Sequence, residues 1–190
     1  AGADVFLAAP YPYLGDDMTA TLQLWLEEGE QPVTPLAKKI FNDPRLPVMA
    51  ANQLDFTYQA DVPSGAIHKD SEPPSLLTNG MCFDPVSDSV QYERNTNIVA
   101  DLGELQDVRQ VQLIAFRRKE TTSAGSGFDV RRVTVSLSND KQSWNQVAVI
   151  TNDQPSSDYT MLTADLDAKA RYIKLFVEMP VGYQRMLLGE

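Results

Sequence analysis

From Leu54 onward the chain alternates apolar and polar residues at the two-residue period of half-buried strands, and short turn sequences interrupt the alternation at regular intervals. Leu54-Asp55-Phe56-Thr57-Tyr58-Gln59 is the first clean run. Further strands are predicted near residues 97–102, 108–117, 129–138, 144–151, 158–166 and 170–179, with Asn79-Gly80, Leu102-Gly103 and Asn139-Asp140 as turns. No helix-period segment separates these strands, so residues 51–190 are expected to form antiparallel sheets packed face to face, a β-sandwich, instead of βαβ units. Residues 60–75 hold Pro63, Gly65, Pro73 and Pro74 and read as an irregular loop.

Residues 1–50 have a different texture. Asp16-Asp17, then Met18, Leu22, Trp25 and Leu26, then Gly29 combine acidic residues, helical apolar spacing and a glycine stop. The preferred reading is one amphipathic helix, while Thr21-Leu22-Gln23-Leu24-Trp25-Leu26 also alternates as a strand would. Thr34-Pro35 reads as an N-cap with proline at the first helical position, opening a second short helix that closes before Asn42-Asp43-Pro44. This segment is expected to be a helical N-terminal extension, or a linker from a neighbouring domain.

Composition narrows the partners. Sixteen basic residues against 26 acidic ones give a net charge of −10, which repels nucleic acid, anionic lipid and acidic polysaccharide at long range. Neutral ligands suit that charge better, with Arg117-Arg118-Lys119 and Arg131-Arg132 as the one candidate basic patch. No run approaches the roughly 18 apolar residues that span a bilayer, so no membrane insertion is expected. Cys82 is the single cysteine, which excludes an intrachain disulfide and fits a buried small apolar residue.

Four ordered blocks resemble the galactose-binding-like, or discoidin (coagulation factor 5/8 type C), superfamily, which includes many bacterial carbohydrate-binding modules. Leu77-Thr78-Asn79-Gly80 resembles its "L-T-D-G" and Asn97-Ile98-Val99-Ala100-Asp101-Leu102-Gly103 its "I-x-V-D-L-G". The stretch from Arg132 to Trp144 resembles "V-x-V-x-x-S-x-D-G-x-x-W", and Ala170-Arg171-Tyr172-Ile173-Lys174-Leu175 resembles "A-R-Y-V-R-L". The resemblance covers residues 54–190 and implies a jelly-roll β-sandwich acting as a non-catalytic carbohydrate-binding module. Such a module targets a secreted or surface protein to a glycan, as an ancillary domain beside a catalytic domain. It implies a bacterial source and an extracellular, cell-surface or periplasmic setting. The alternative is a protein-interaction or adhesion domain; a hydrolase is the third reading, with no carboxylate pair singled out.

The same resemblance implies a structural calcium at the positions of Asn79 and Glu190. Calcium takes six to eight oxygens, and Asn79 brings an oxygen without the charge of the usual Asp. The competing reading makes Asn79 the left-handed residue of a tight turn. Trp144 is expected in the core. Two departures in the turns, Asn79-Gly80 for Asp-Gly and Asp140-Lys141 for Asp-Gly, leave the fold expectation intact.

The ligand-binding candidates lie between the blocks. Arg117 and Arg118 end a predicted strand before a Thr-Ser-Gly loop, and a guanidinium donates to two vicinal hydroxyls at once. Tyr92 and Arg94 precede the Asp101 strand, where an aromatic face would stack on a pyranose ring. His68, the only histidine, would donate to a sugar hydroxyl or stay an ordinary loop residue. One His and one Cys cannot furnish a closed zinc site, and Gly125-Ser126-Gly127 lacks the third glycine of a dinucleotide loop.

Overall fold

The computed structural model describes residues 53–82, 84–119, 127–153 and 158–190. The helices expected within residues 1–50 lie outside the described residues, as do residues 120–126 of the Thr-Ser-Gly loop. The described residues form seven antiparallel strands: β1 (Thr57–Ala60), β2 (Val90–Tyr92), β3 (Thr96–Phe116), β4 (Arg132–Ser138), β5 (Asn145–Thr151), β6 (Tyr159–Glu178) and β7 (Met186–Leu188). They make one sheet in the order β2-β7-β3-β6-β4-β5, with β1 added beside β3.

The segments predicted at 97–102 and 108–117 are one 21-residue strand, and those at 158–166 and 170–179 are one 20-residue strand. Alternation lapses at the bends, which made each strand look like two. A straight strand of that length would run roughly 70 Å, so β3 must fold back on itself. The register slips between Asp101 and Gln106 and again between Val108 and Gln110, and such bulges let paired strands bend together. Gly103 sits in the first slip at φ 79°, a conformation that favours glycine.

The bend divides the sheet into two layers. One holds β1, the first half of β3, the second half of β6, β4 and β5; the other holds β2, β7, the second half of β3 and the first half of β6. Val133 and Val177, register partners, are fully buried between the layers beside Val90, Val108, Val135 and Leu188. Each such side chain stabilises the fold by about 1.5–3 kcal/mol. A second apolar cluster, Cys82, Ile114, Phe116, Phe128 and Leu187, covers the opposite face of the β2-β7-β3 layer. That layer is therefore apolar on both sides, and Cys82 is buried as its type suggests.

Four details depart from the sequence pattern. Strands β2 and β7, three residues each, are too short for an alternating signature and were not expected. Trp144 is outside the core: Ile173 and Leu175 pack against the core, so Lys174 between them points outward, and its ammonium lies 4.3 Å from the Trp144 ring centre. The left-handed residue of the first turn is Gly80, φ 77°, and not Asn79, whose side-chain oxygen accepts the Met81 amide at 2.9 Å. In the β4–β5 turn the left-handed position falls to Lys141, φ 61°, where the resembled motif has glycine.

Side chains fasten the loops. Tyr58 donates its hydroxyl to Asp70 at 2.6 Å and accepts the Leu77 amide at 3.1 Å, while Asp70 also accepts the amides of Ser71 and Leu76. This anchors the loop that carries His68, and burial together with the Asp70 hydrogen bond pushes the Tyr58 phenol far up. Tyr58→Phe is expected to leave the buried Leu77 amide unpaired and to cost about 1–3 kcal/mol in urea denaturation. In the β4–β5 turn, the amides of Ser143 and Gln142 and the Ser138 hydroxyl hold the Asp140 carboxyl down to about 2. Its folded value lies below its unfolded one near 4, so the stabilisation is complete above about pH 4 and is lost as pH falls through 2. Thermal melts across that window are expected to show the advantage of wild type over Asp140→Asn vanishing at the acid end.

Candidate functional site

The folding back of β3 and β6 brings both ends of each strand to one rim. The β2–β3 turn joins Tyr92 in one layer to Thr96 in the other, and residues 179–185 join the end of β6 to the start of β7. Hydrogen bonds tie these connections together: the Met179 amide donates to Asn95 Oδ1 at 2.9 Å and the Arg117 amide to the Asp158 carbonyl at 2.7 Å. The rim therefore gathers residues 93–95, 117–119, 127–131, 152, 153 and 158, and 179–185.

Strand parity then sorts the predicted residues by face. Val90 and Tyr92 point into the core, so Ser89, Gln91 and Glu93 point out of the β2-β7-β3 layer. Tyr92, expected to stack on a sugar, is 1 % exposed and has no free ring face. This corrects the expectation; burial raises its phenol pKa, with Asp70 and Asp61 adding to the effect. Arg117 is half-buried against Asp129, Nε to Oδ2 at 2.9 Å, and Asp129 also accepts from Asn152 at 3.2 Å. Arg117 thus serves the rim as an ion pair holding its floor, and is not turned to a ligand. Arg94 is exposed in the β2–β3 turn.

His68 and Arg118 reach the same outer face. The His68 carbonyl accepts the Gln91 amide at 2.9 Å and its Nδ1 lies 3.1 Å from Ser89 Oγ. Ser89 spends its single proton on the Pro85 carbonyl, 2.6 Å away, so His68 is the donor through Nδ1–H. In the neutral ring Nε2 is then an acceptor, the reverse of the donor role expected from sequence. The pair is also unfit for nucleophilic catalysis, because the hydroxyl proton points away from the imidazole and Ser89 is 2 % exposed.

Two rim residues escaped the sequence reading. Arg185 lies just before β7, and its guanidinium carbon sits 5.7 Å from the Phe128 ring centre, whose ring Arg118 also approaches at 4.9 Å. Tyr183 closes a turn onto the Pro180 carbonyl at 3.2 Å, with Gly182 at φ 93° and Val181 92 % exposed. The sequence signal that could have found Tyr183 is the Pro180-Val181-Gly182-Tyr183 turn pattern. A cleft of about 550 Å³ opens between the layers, reaching the bend at Leu102 and Val108. Its walls are mostly core side chains, against which sugar hydroxyls would lose their hydrogen bonds.

Asn79 and Glu190 do come together, since Glu190 accepts the Gly80 amide and the Gln53 side-chain amide. By themselves these two side chains offer a calcium at most three of the six to eight oxygens it takes. Both Glu190 oxygens and the Asn79 oxygen already accept N–H groups, and among the described residues no cluster of three His, Cys, Asp or Glu side chains can hold a metal. In this structure Glu190 ties its own segment to the Gly80 turn and to Gln53.

No family model matches the chain, and no curated protein does. Solved structures do. The CBM32 of AlyQ, in complex with 4,5-unsaturated mannuronic acid, is 18% identical over 70% of this chain and 90% of its own, with a TM-score of 0.48. CBM32-1 of a family 31 glycoside hydrolase from Clostridium perfringens is 15% identical over 72% and 91%, TM-score 0.48. The family 32 module of C. perfringens NanJ, in complex with galactose, is 18% identical over 70% and 92%, TM-score 0.45. These are galactose-binding-like, discoidin-type modules.

If Glu190 is a strut, Glu190→Gln is expected to cost about 1–2 kcal/mol equally in calcium and in chelator, measured by urea denaturation. Calcium stabilisation of wild type that the variant abolishes would mark a metal site instead.

Proposed function

We propose that this domain is a non-catalytic glycan-binding module whose ligand lies along the outer rim of the β2-β7-β3 layer. The carrying observation is the His68 acceptor, fixed in one tautomer by Ser89 and Pro85, on the same outer face as Arg118 and Arg185. Sugar hydroxyls are both donors and acceptors, so one hydroxyl can give its proton to Nε2 while another, farther along the saccharide, receives a guanidinium N–H through its oxygen. Register sets the scale: His68, β2, β7 and β3 lie side by side, and Arg118 lies two residues beyond the Gln91-Leu187-Phe116 row, so His68 and Arg118 are more than about 14 Å apart, three strand spacings plus that offset. That span accommodates more than one sugar ring. Tyr183 is the aromatic of the rim loops that takes over the stacking role expected of Tyr92, and Arg94 flanks the same edge.

Several features favour binding over turnover. Asp129 is paired with Arg117, and Glu178 with Arg132 Nε at 2.5 Å. Neither is disposed as an acid and base pair across an open site. The four sequence blocks point the same way. A module of this kind would act outside the cytoplasm, holding an attached catalytic or surface domain near its glycan.

A glycan array followed by calorimetry tests the reading. At least one saccharide is expected to bind, and His68→Ala is expected to weaken it about tenfold, the loss of one hydrogen bond, while the melting temperature holds. Absence of binding to every glycan would sink the proposal.

A further inference from the structure

The two layers close unevenly. Val133, Val135 and Val177 are sealed between them, whereas Ala100, Ile173 and Leu175, on the same inner face, stay half-buried. The register explains the gap. β7 pairs with β3 only at Ala115 and Phe116, and beyond it the Gly189 amide and Glu190 carbonyl reach no further along β3 than Ile114. From Asp107 to Leu113, β6 is therefore the one strand beside β3 among the described residues. In the facing layer β1 continues the sheet alongside Ile98–Asp101. That layer is one strand wider on this side, and the cleft of about 550 Å³ opens under the overhang.

The lining follows β3 without a break from Asp107 to Ile114, about 20 Å of strand, with Phe56, Tyr58 and Ile98 contributed by the facing layer. An apolar space of this kind costs stability while empty, and water inside it finds too few polar partners. Its volume falls within the roughly 300–1,000 Å³ of small-molecule sites. The charged lining residues are Asp107 and Arg109, both exposed, and Glu190. Two carboxylates against one guanidinium repel an anionic head. Both carboxylates are also engaged, Asp107 with Lys169 at 3.4 Å and Glu190 with the Gly80 amide and Gln53, which leaves a cationic head no open partner. We propose that this cleft binds an elongated aliphatic molecule with an uncharged head, of the long-chain alcohol type. The chain lies along Val108, Val111 and Leu113, and the hydroxyl meets the side-chain amides of Gln53, Gln110 and Gln112. The site is separate from the rim and does not depend on the glycan reading.

Calorimetric titration of the full chain with hexanol, octanol and decanol tests the assignment. Affinity is expected to rise about fourfold for each added CH₂, the ~0.8 kcal/mol that burying one contributes, and decanol is expected to raise the melting temperature. Decanoate is expected to bind about threefold more weakly than decanol. Ala100→Leu puts a larger side chain into the cleft and is expected to weaken decanol binding about tenfold while the melting temperature holds. Val181→Ser, at the most exposed large apolar residue among those described, is expected to change nothing. No alkanol binding, affinity independent of chain length, or decanol binding that Ala100→Leu spares and Val181→Ser removes would overturn the proposal. So would a wild-type dimer that Ala100→Leu splits, which gives the cleft to a second copy of the chain. Decanoate binding more tightly than decanol would overturn the uncharged head. Should Ala100→Leu fail to fold, the chain-length series in wild type and Val181→Ser decides.

Discussion

The bend shared by β3 and β6 is the constraint on which the domain depends. At that corner Arg171 Nε meets Asp101 Oδ1 at 3.0 Å and Nη2 meets Oδ2 at 3.2 Å, a two-pronged pair between the two long strands. The same Asp101 accepts the Gly103 amide at 2.8 Å, so one carboxylate fixes both the bulge and its partner strand. Arg171 holds that carboxyl below the usual range. The pair is part-exposed and its energy is modest. Its consequence is geometric: with the corner set, each strand returns to the rim where it began.

A sheet closed in this way has to satisfy two interiors. The inner faces share the core around Val133, Val135 and Val177, and the β2-β7-β3 layer needs cover on its other side as well. Phe128 supplies that cover, and because Phe128 is held by the segment following β3, covering Phe116 and Leu187 also positions Arg118. Packing of the outer face and placement of Arg118 therefore use one residue. Side chains carried on the ends of paired strands are held in place by the ladder as those on a free loop are not.

The predicted binding residues divide according to what alternation can and cannot reveal. Tyr92 looked like a loop aromatic because β2 is only three residues long, and a single turn of alternation does not announce which side is inward. Arg117 and Arg118 are neighbours with opposite duties, one paired below with Asp129 and one laid over Phe128 above, since adjacent residues in a strand point to opposite faces. Arg185 stands alone between Gln184 and Met186, and no local pattern links it to a residue 67 positions earlier; only the β3-β7 register does.

Local chemistry decided a good deal unaided. Alternation, turn residues and the ordered blocks Asp101-Leu102-Gly103 and Ala170-Arg171-Tyr172 specify an antiparallel β fold, because burial of one strand face and positive φ at turns are properties of short segments. Charge and the single cysteine narrowed the chemistry in the same local way. Tertiary structure alone decided that the strands run double length around a corner, that Trp144 lies under Lys174 outside the core, and that His68, Arg118 and Arg185 share one face. Those facts depend on register across residues far apart in the chain, and register is settled by which apolar faces the closing sheet has to bury.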